Sequence, residues 1–303
     1  MKKVIAIDLG SNSIRFLKMD CQTKEFIGKF HLMVKTADGL ATTGLISIEA
    51  QNRIINAINQ AKEQIDFSDA TIKAITTEAV RQAKNGQEIL NCIKKQTGVE
   101  FNIINGDDEA RYALIATQNR LKQLNIEPSS FMLADIGGAS TELIFFYGKE
   151  TIVKSFPIGI VTITQSFHSL LEISHAIPAL MKSMRLFCQE VYAKYGKAQK
   201  FIAIAGTPTT IASMKHGFTY KTYNANKIHG TVLTHNDLVH QLERLLSMEI
   251  AERKEIVGVG REELISSGVL IYEELYNIGG FNESIVIDDG VREGVVLDMC
   301  GNS

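Results

Sequence analysis

The residues of this 303-residue chain best suited to chemistry are carboxylates set beside glycine-rich turns. Asp135 follows a short apolar run, and Gly137, Gly138, Ala139, Ser140 and Thr141 form a tight turn before a second apolar run at 143–147. Glycine lets backbone N–H groups approach an anion with no Cβ in the way. Asp135 before the turn and Glu142 after it stand at its rim, where hard oxygen ligands suit a divalent cation such as Mg²⁺ or Mn²⁺. The same grammar opens the chain. An apolar run at 3–7 leads to Asp8, then Leu9, Gly10, Ser11, Asn12 and Ser13, then apolar residues from Ile14. Taken alone, each segment reads equally as an ordinary hairpin turn. Two copies about 127 positions apart point instead to two related domains, each with one phosphate loop and one Asp placed to help hold a metal.

The elements that must position these residues alternate between strand and helix, which implies α/β architecture with sheets made mixed by the hairpins at each loop. Strand signals lie at 25–34, 71–75 and 101–104. Ser47 caps a helix carrying Ile54, Ile58, Ala61 and Ile65 at helical spacing, and a second helix at 87–95 is closed by Gly98. A helix is expected from 107 to 124 with the acidic first turn Asp107, Asp108 and Glu109, as a helix N-terminus favours. The link at 125–130 then divides the chain into domains 1–125 and 126–303. In the second domain the pattern predicts strands at 143–147, 151–156, 201–205 and 284–287. It also predicts a long helix at 174–195, a helix capped by Thr234 and Asp237, and helices at 262–276 and 291–299. Val291, Val295, Val296 and Met299 form one apolar stripe on the last helix, which is expected to pack back on the first domain.

Composition narrows the class. Apolar residues make up 45% and charged residues 22%, the balance of a soluble globular protein of two domains. A net charge of −2 supplies no global field for nucleic acid or membrane, so a polyanionic substrate must be met by local groups. With no signal-peptide pattern and no apolar run long enough to span a bilayer, the expected compartment is the cytoplasm. Cys21, Cys92, Cys188 and Cys300 are far apart and read as free thiols. No G-x-x-x-x-G-K-S/T loop is present.

Together, the segments DLGSNSIR and DIGGASTE resemble those of the exopolyphosphatase and guanosine pentaphosphate phosphohydrolase (Ppx/GppA) family, within the actin-like ATPase superfamily. The segment from Asn105 to Arg111 is similar to the family's S-G-x-E-E-A stretch, which implies that Glu109 activates the attacking water. Here Asn105 replaces Ser and Asp108 replaces the first Glu. The segment 77–85 resembles T-x-A-x-R-x-A-x-N, implying that Arg81 contacts the transferring phosphate. Further matches are 155–159, Gly206-Thr207, and 289–294, the last with one residue fewer than the family's D-G-x-x-R-E-G. Ala139 stands where the family usually has a third glycine, and its methyl is expected to narrow the second loop.

The resemblance implies two actin-like (ribonuclease H-like) domains with the active site in the cleft between them, and a short form without the C-terminal HD-type domain. It also implies a Mg²⁺- or Mn²⁺-dependent hydrolase of inorganic polyphosphate or guanosine pentaphosphate. Amides of residues 10–13 and 137–141 would cradle the phosphate, and Asp8, Asp135 and Glu142 would hold the metal directly or through water. The expected partners are the substrate and a second copy in a homodimer, with no DNA and no membrane. The competing readings are an actin-fold sugar or acid kinase using ATP, a nucleotide-gated polymer or scaffold, and a catalytically weak regulator that binds the alarmone.

Overall fold

A computed structural model describes residues 2–301. The chain forms two compact units, Met1–Ala116 with Asp289–Ser303, and Thr117–Asp288. The second unit thus begins within a helix, ahead of the boundary at 125–126 read from the sequence, and the last helix falls in the first unit.

The first unit contains β1 (Lys3–Leu9), β2 (Ser13–Asp20), β3 (Phe26–Met33), α1 (Leu40–Thr43), α2 (Ile48–Gln64), β4 (Thr71–Thr76), α3 (Glu78–Gln82), α4 (Gly86–Thr97), β5 (Phe101–Ile103) and the start of α5 (Gly106–Gln123). Its sheet has the order β3-β2-β1-β4-β5. β1 pairs antiparallel with β2 and parallel with β4, so it lies at the centre. That position accounts for its composition: Val4, Ile5, Ala6 and Ile7 are all fully buried, as a strand covered on both faces requires. β3, at the edge, alternates between half-buried and exposed residues. The Ser47 hydroxyl accepts from Ala50 N–H and caps α2 as the sequence predicts.

The second unit repeats the plan. Its elements are β6 (Phe131–Ile136), β7 (Thr141–Tyr147), β8 (Glu150–Phe156), α6 (Ile160–Ser166), α7 (Leu170–Leu180), α8 (Lys182–Tyr195), β9 (Lys200–Ile204), α9 (Gly206–Lys215), α10 (Ala225–Ile228), β10 (Thr231–Thr234), α11 (His235–Ser247), α12 (Ile250–Val257), α13 (Ile265–Gly279) and β11 (Glu283–Val286). The sheet order β10-β11-β9-β6-β7-β8 is that of the first sheet, read from the other edge, with β10 added. The shared arrangement is the actin-like, ribonuclease H-like fold. The helix expected at 174–195 is two helices meeting at Met181, and Pro178, which has no N–H to donate, lies within the first of them. β10 is too short and too close to the Thr234 cap for periodicity to show it.

α14 (Val291–Met299) packs on β1 and β2 with Val295 and Val296 fully buried. Gly294 makes the crossing with α5 possible: a Cβ there would lie 1.9 Å from the Tyr112 carbonyl oxygen. Asp298 receives Arg111 through both guanidinium ends, at 2.9 and 3.4 Å, which holds its carboxyl below the usual range.

Cys21 and Cys300 are not free thiols but a disulfide, with Cα atoms 5.2 Å apart and 279 positions between them in sequence. No local spacing announces such a pair, because only the packing of α14 brings its end to the turn after β2. Cys92 and Cys188 are free. No helix among the described residues is long and apolar enough to cross a membrane.

Candidate active site

The two glycine loops are built alike. Gly10 N–H donates to the Ser13 carbonyl at 3.0 Å, closing a turn at Ser11 and Asn12. Gly137 N–H donates to the Ser140 carbonyl at 2.9 Å, closing a turn at Gly138 and Ala139. Each turn is braced from behind through its carbonyls. Asn12 O accepts from the Val34 and Lys35 amides, both at 2.9 Å, and Ser11 O from Ala37 N–H at 2.8 Å. In the second loop Gly137 O accepts from Ile160 N–H at 3.1 Å and Gly138 O from Val161 N–H at 2.7 Å. With these carbonyls engaged, and Gly10 and Gly137 N–H closing the turns, the backbone donors a turn could offer an anion are those of the residues that follow each glycine.

The second brace needs a glycine. A Cβ on Gly159 would stand 2.4 Å from the Gly138 carbonyl and 2.5 Å from Ala139 N. The Pro157-Ile158-Gly159 segment therefore lies directly on the loop backbone, and Thr141 Oγ1 donates to Ile158 O at 2.7 Å. Ala139 is buried and is not among the residues with positive φ, so a methyl at this position carries no left-handed strain.

The carboxylates have different surroundings in the two units. Asp135 lies opposite Glu142 across the β6–β7 pair, and Glu142 lies opposite Ser155, whose hydroxyl donates to it at 2.7 Å. Asp135 and Glu142 are both buried, and directly opposed residues share a face with Cβ atoms about 5 Å apart. Two carboxylates side by side suit a hard divalent cation. Among the described residues no group of three or more His, Cys, Asp or Glu could hold a metal. Asp135 and Glu142 could serve as the one or two protein ligands of an ion that keeps water as its other ligands, as Mg²⁺ does.

At the equivalent place in the first unit, Asp8 lies opposite Arg15. Burial pushes the Asp8 carboxyl above its ordinary range and Glu293 adds to this, while Arg15 and Arg292 oppose it. Asp8 thus lies among two guanidinium groups and one carboxylate, whereas Asp135 faces Glu142.

Glu109 sits half-buried in the first turn of α5, with its Oε2 shielded from solvent. Asn105 caps this helix: its Oδ1 accepts from Asp108 N–H at 2.8 Å and its carbonyl from Glu109 N–H at 3.1 Å. Asn in place of Ser preserves the cap. Arg81 ion-pairs with Glu78 and also donates to the Ile104 carbonyl, one residue before that cap. The guanidinium expected on the substrate thus braces the turn that carries Glu109.

Arg292 and Glu293, in the segment 289–294, have a place in the first unit that no local signal in the sequence announces. Glu293 is buried, accepts from Gly290 N–H at 3.0 Å and pairs with Arg292 at 2.5 Å. Against the burial that works the other way, Arg292 and the Gly290 amide hold its carboxyl below the usual range. In the third glycine-containing segment, Ala205 has φ 72° and ψ −168°, a region nearly reserved for glycine, and Gly206 O accepts from Arg261 Nη2 at 2.6 Å.

The Ppx/GppA phosphatase family model matches residues 22–303. The chain belongs to this family. The match starts after the first glycine loop, so the Ppx/GppA assignment stands without that loop, and the loop's role rests on its likeness to the second. The chain is 26% identical over 326 residues to "Exopolyphosphatase 2" of Mycobacterium tuberculosis, covering 99% of each. It is 24% identical to "Exopolyphosphatase 1" of Mycobacterium bovis, covering 96% of this chain and 86% of that one. Among solved structures, the Aquifex aeolicus Ppx/GppA family member shares 27% identity and a TM-score of 0.73, covering 98% of this chain and 97% of that one.

Proposed function

We propose that this chain hydrolyses the terminal phosphoanhydride of inorganic polyphosphate, with guanosine pentaphosphate as a second candidate substrate of the same chemistry. The observation that carries the reading is the pair of identically closed, carbonyl-braced glycine loops, one of them backed by the buried Asp135–Glu142 pair. A phosphate chain carries charge on every unit, and local amide donors in the two turns suit a chain whose net charge of −2 supplies no global positive field. The names of the two mycobacterial relatives agree with this substrate class.

In this reading, amides of residues 11–13 and 138–141 bind phosphate oxygens, the Gly10 and Gly137 N–H groups expected to join them being spent on closing the turns, and Asp135 and Glu142 hold the metal, with Asp8 acting through water. Bound there, Mg²⁺ or Mn²⁺ would offset charge developing on the transferred and leaving phosphates. Glu109 orients the attacking water and accepts its proton, aided by the fixed first turn of α5. Arg81 and Asn105 hold that turn. The proton passes to the Glu109 carboxylate as the water oxygen bonds to phosphorus, and the shortened chain leaves.

Phosphate release by the purified protein, measured against polyphosphates of several lengths and guanosine pentaphosphate with Mg²⁺ or EDTA, tests this reading. Release from polyphosphate that stops with EDTA is expected. An absence of release from either substrate with metal present would overturn it.

The Gly159 brace gives a sharper expectation. Gly159→Ala forces a methyl into the Gly138–Ala139 backbone, so the second loop must shift. KM for polyphosphate should rise about tenfold, which corresponds to about 1.4 kcal/mol. An unchanged KM would show that the loop's position does not govern binding.

A further inference from the structure

The disulfide stands apart from everything the proposed chemistry uses. Cys300 ends α14, and Cys21 is in the turn after β2; both residues are partly exposed. The opposite end of the same helix carries Arg292 and Glu293, the charges that act on Asp8 beside the first glycine loop. Between the two ends, α14 rests on the α5 backbone at Gly294 and pairs Asp298 with Arg111. A nine-residue helix is marginal by itself and depends on such anchors.

We propose that the Cys21–Cys300 disulfide is a thiol-exchangeable latch on α14, so that reduction loosens this helix and lowers turnover, and reoxidation restores both. The effect on turnover rests on the phosphatase reading above; the latch itself does not. Three features support the pairing as a switch. Both cysteines are within reach of solvent, and exposed disulfides are the exchangeable ones. Two other cysteines of the chain remain thiols, so the protein is not built on a disulfide framework. The latched helix also joins the covalent tie to the charged residues around Asp8, one of the groups proposed for the site.

The exchange balances with a small dithiol as reductant. Its thiolate attacks one sulfur of the pair, forming a mixed disulfide and releasing one cysteine thiolate. The second thiol of the reductant then displaces the other cysteine. Two electrons and two protons pass to Cys21 and Cys300, and the reductant leaves as its own disulfide. Cys188 is a poor competitor, since burial pushes its thiol up to about 11. Cys92 is half-buried, with the Gln51 and Gln96 amides donating to its sulfur at 3.1 and 3.3 Å, and can be replaced by Ser as a background.

The test compares the full chain carrying Cys92→Ser in three states: oxidised, reduced with dithiothreitol and alkylated, and reduced then reoxidised. Hydrogen exchange of residues 291–299 and phosphate release from polyphosphate are measured in each state. Reduction is expected to speed exchange in α14 at least tenfold and to lower kcat several-fold, and the reoxidised protein should recover both. The Cys21→Ser/Cys300→Ser double variant should match the reduced state and ignore dithiothreitol. Unchanged exchange in α14 after reduction overturns the latch, whatever the activity. Faster exchange with unchanged kcat overturns its control of turnover. Loss of exchange protection across the whole chain on reduction overturns it as well, because the disulfide would then be a global staple. If the oxidised protein releases no phosphate, the functional reading fails, and the exchange measurement still decides the latch.

Discussion

Glu109→Gln should lower kcat for phosphate release by about 10²–10⁴-fold, the range expected when a general base is removed, and leave substrate binding nearly intact. The substitution keeps the side chain's length and alters its ability to take a proton. It leaves the Asn105 cap alone, because that cap uses the Asn105 side chain and backbone with the Asp108 and Glu109 amides. The fold should therefore be unaffected, and the melting temperature serves as the control. Two comparisons refine the result. Asp108→Asn, at a half-buried neighbour in the same acidic turn, should have a small effect, since it changes only charge near the helix N-terminus. Arg81→Lys removes the planar fork that joins Glu78 to the Ile104 carbonyl and should lower kcat less, through the orientation of α5. Near-normal phosphate release by Glu109→Gln would remove this residue from the mechanism.

Much of this architecture is legible in the sequence because its signals are local. Each loop is written within about eight residues, as strand, Asp, small turn and strand, and the two copies support one another. Ser47, Thr234 with Asp237, and Gly98 mark helix ends through chemistry confined to one turn, and all act there as expected. What the sequence could not show depends on contacts between distant segments. Arg81 has the right type for phosphate, but its bond to the Ile104 carbonyl spans 23 positions and appears only when α3 meets the start of α5. The four cysteines carry no spacing signal, and the partner of Cys21 is decided by where α14 ends. Asp8 and Asp135 look equivalent in sequence; their cross-strand neighbours, Arg15 and Glu142, make one a member of a charge network and the other half of an acidic pair. That distinction is present in the sequence as the residue seven places after each Asp. It acquires meaning only once the hairpin register is known.

Gly294→Ala should be the most damaging single methyl in the first unit. Its Cβ would lie 1.9 Å from the Tyr112 carbonyl oxygen, 2.5 Å from the carbonyl carbon and 2.8 Å from Tyr112 Cα. All three atoms are backbone of α5, so no rotamer change relieves the contact, and one helix must move off the other. Overpacking of this kind costs about 1–3 kcal/mol where side chains can adjust, and the upper end or more is expected where they cannot. For units of this size that corresponds to a fall in Tm of roughly 6–12 °C. Tyr112→Phe separates backbone crossing from side-chain contact. It removes the hydroxyl that accepts from Lys73 Nζ at 2.6 Å and leaves the crossing untouched, so it should lower Tm by no more than a few degrees. Tyr112 lies one turn after Glu109 on the same helix, and Arg292 and Glu293 immediately precede Gly294 on the other. A forced separation at this point therefore disturbs the proposed base and the charges around Asp8 together, and kcat should fall with stability. Gly294→Ala with wild-type Tm and phosphate release would show that α14 and α5 need not approach this closely in solution.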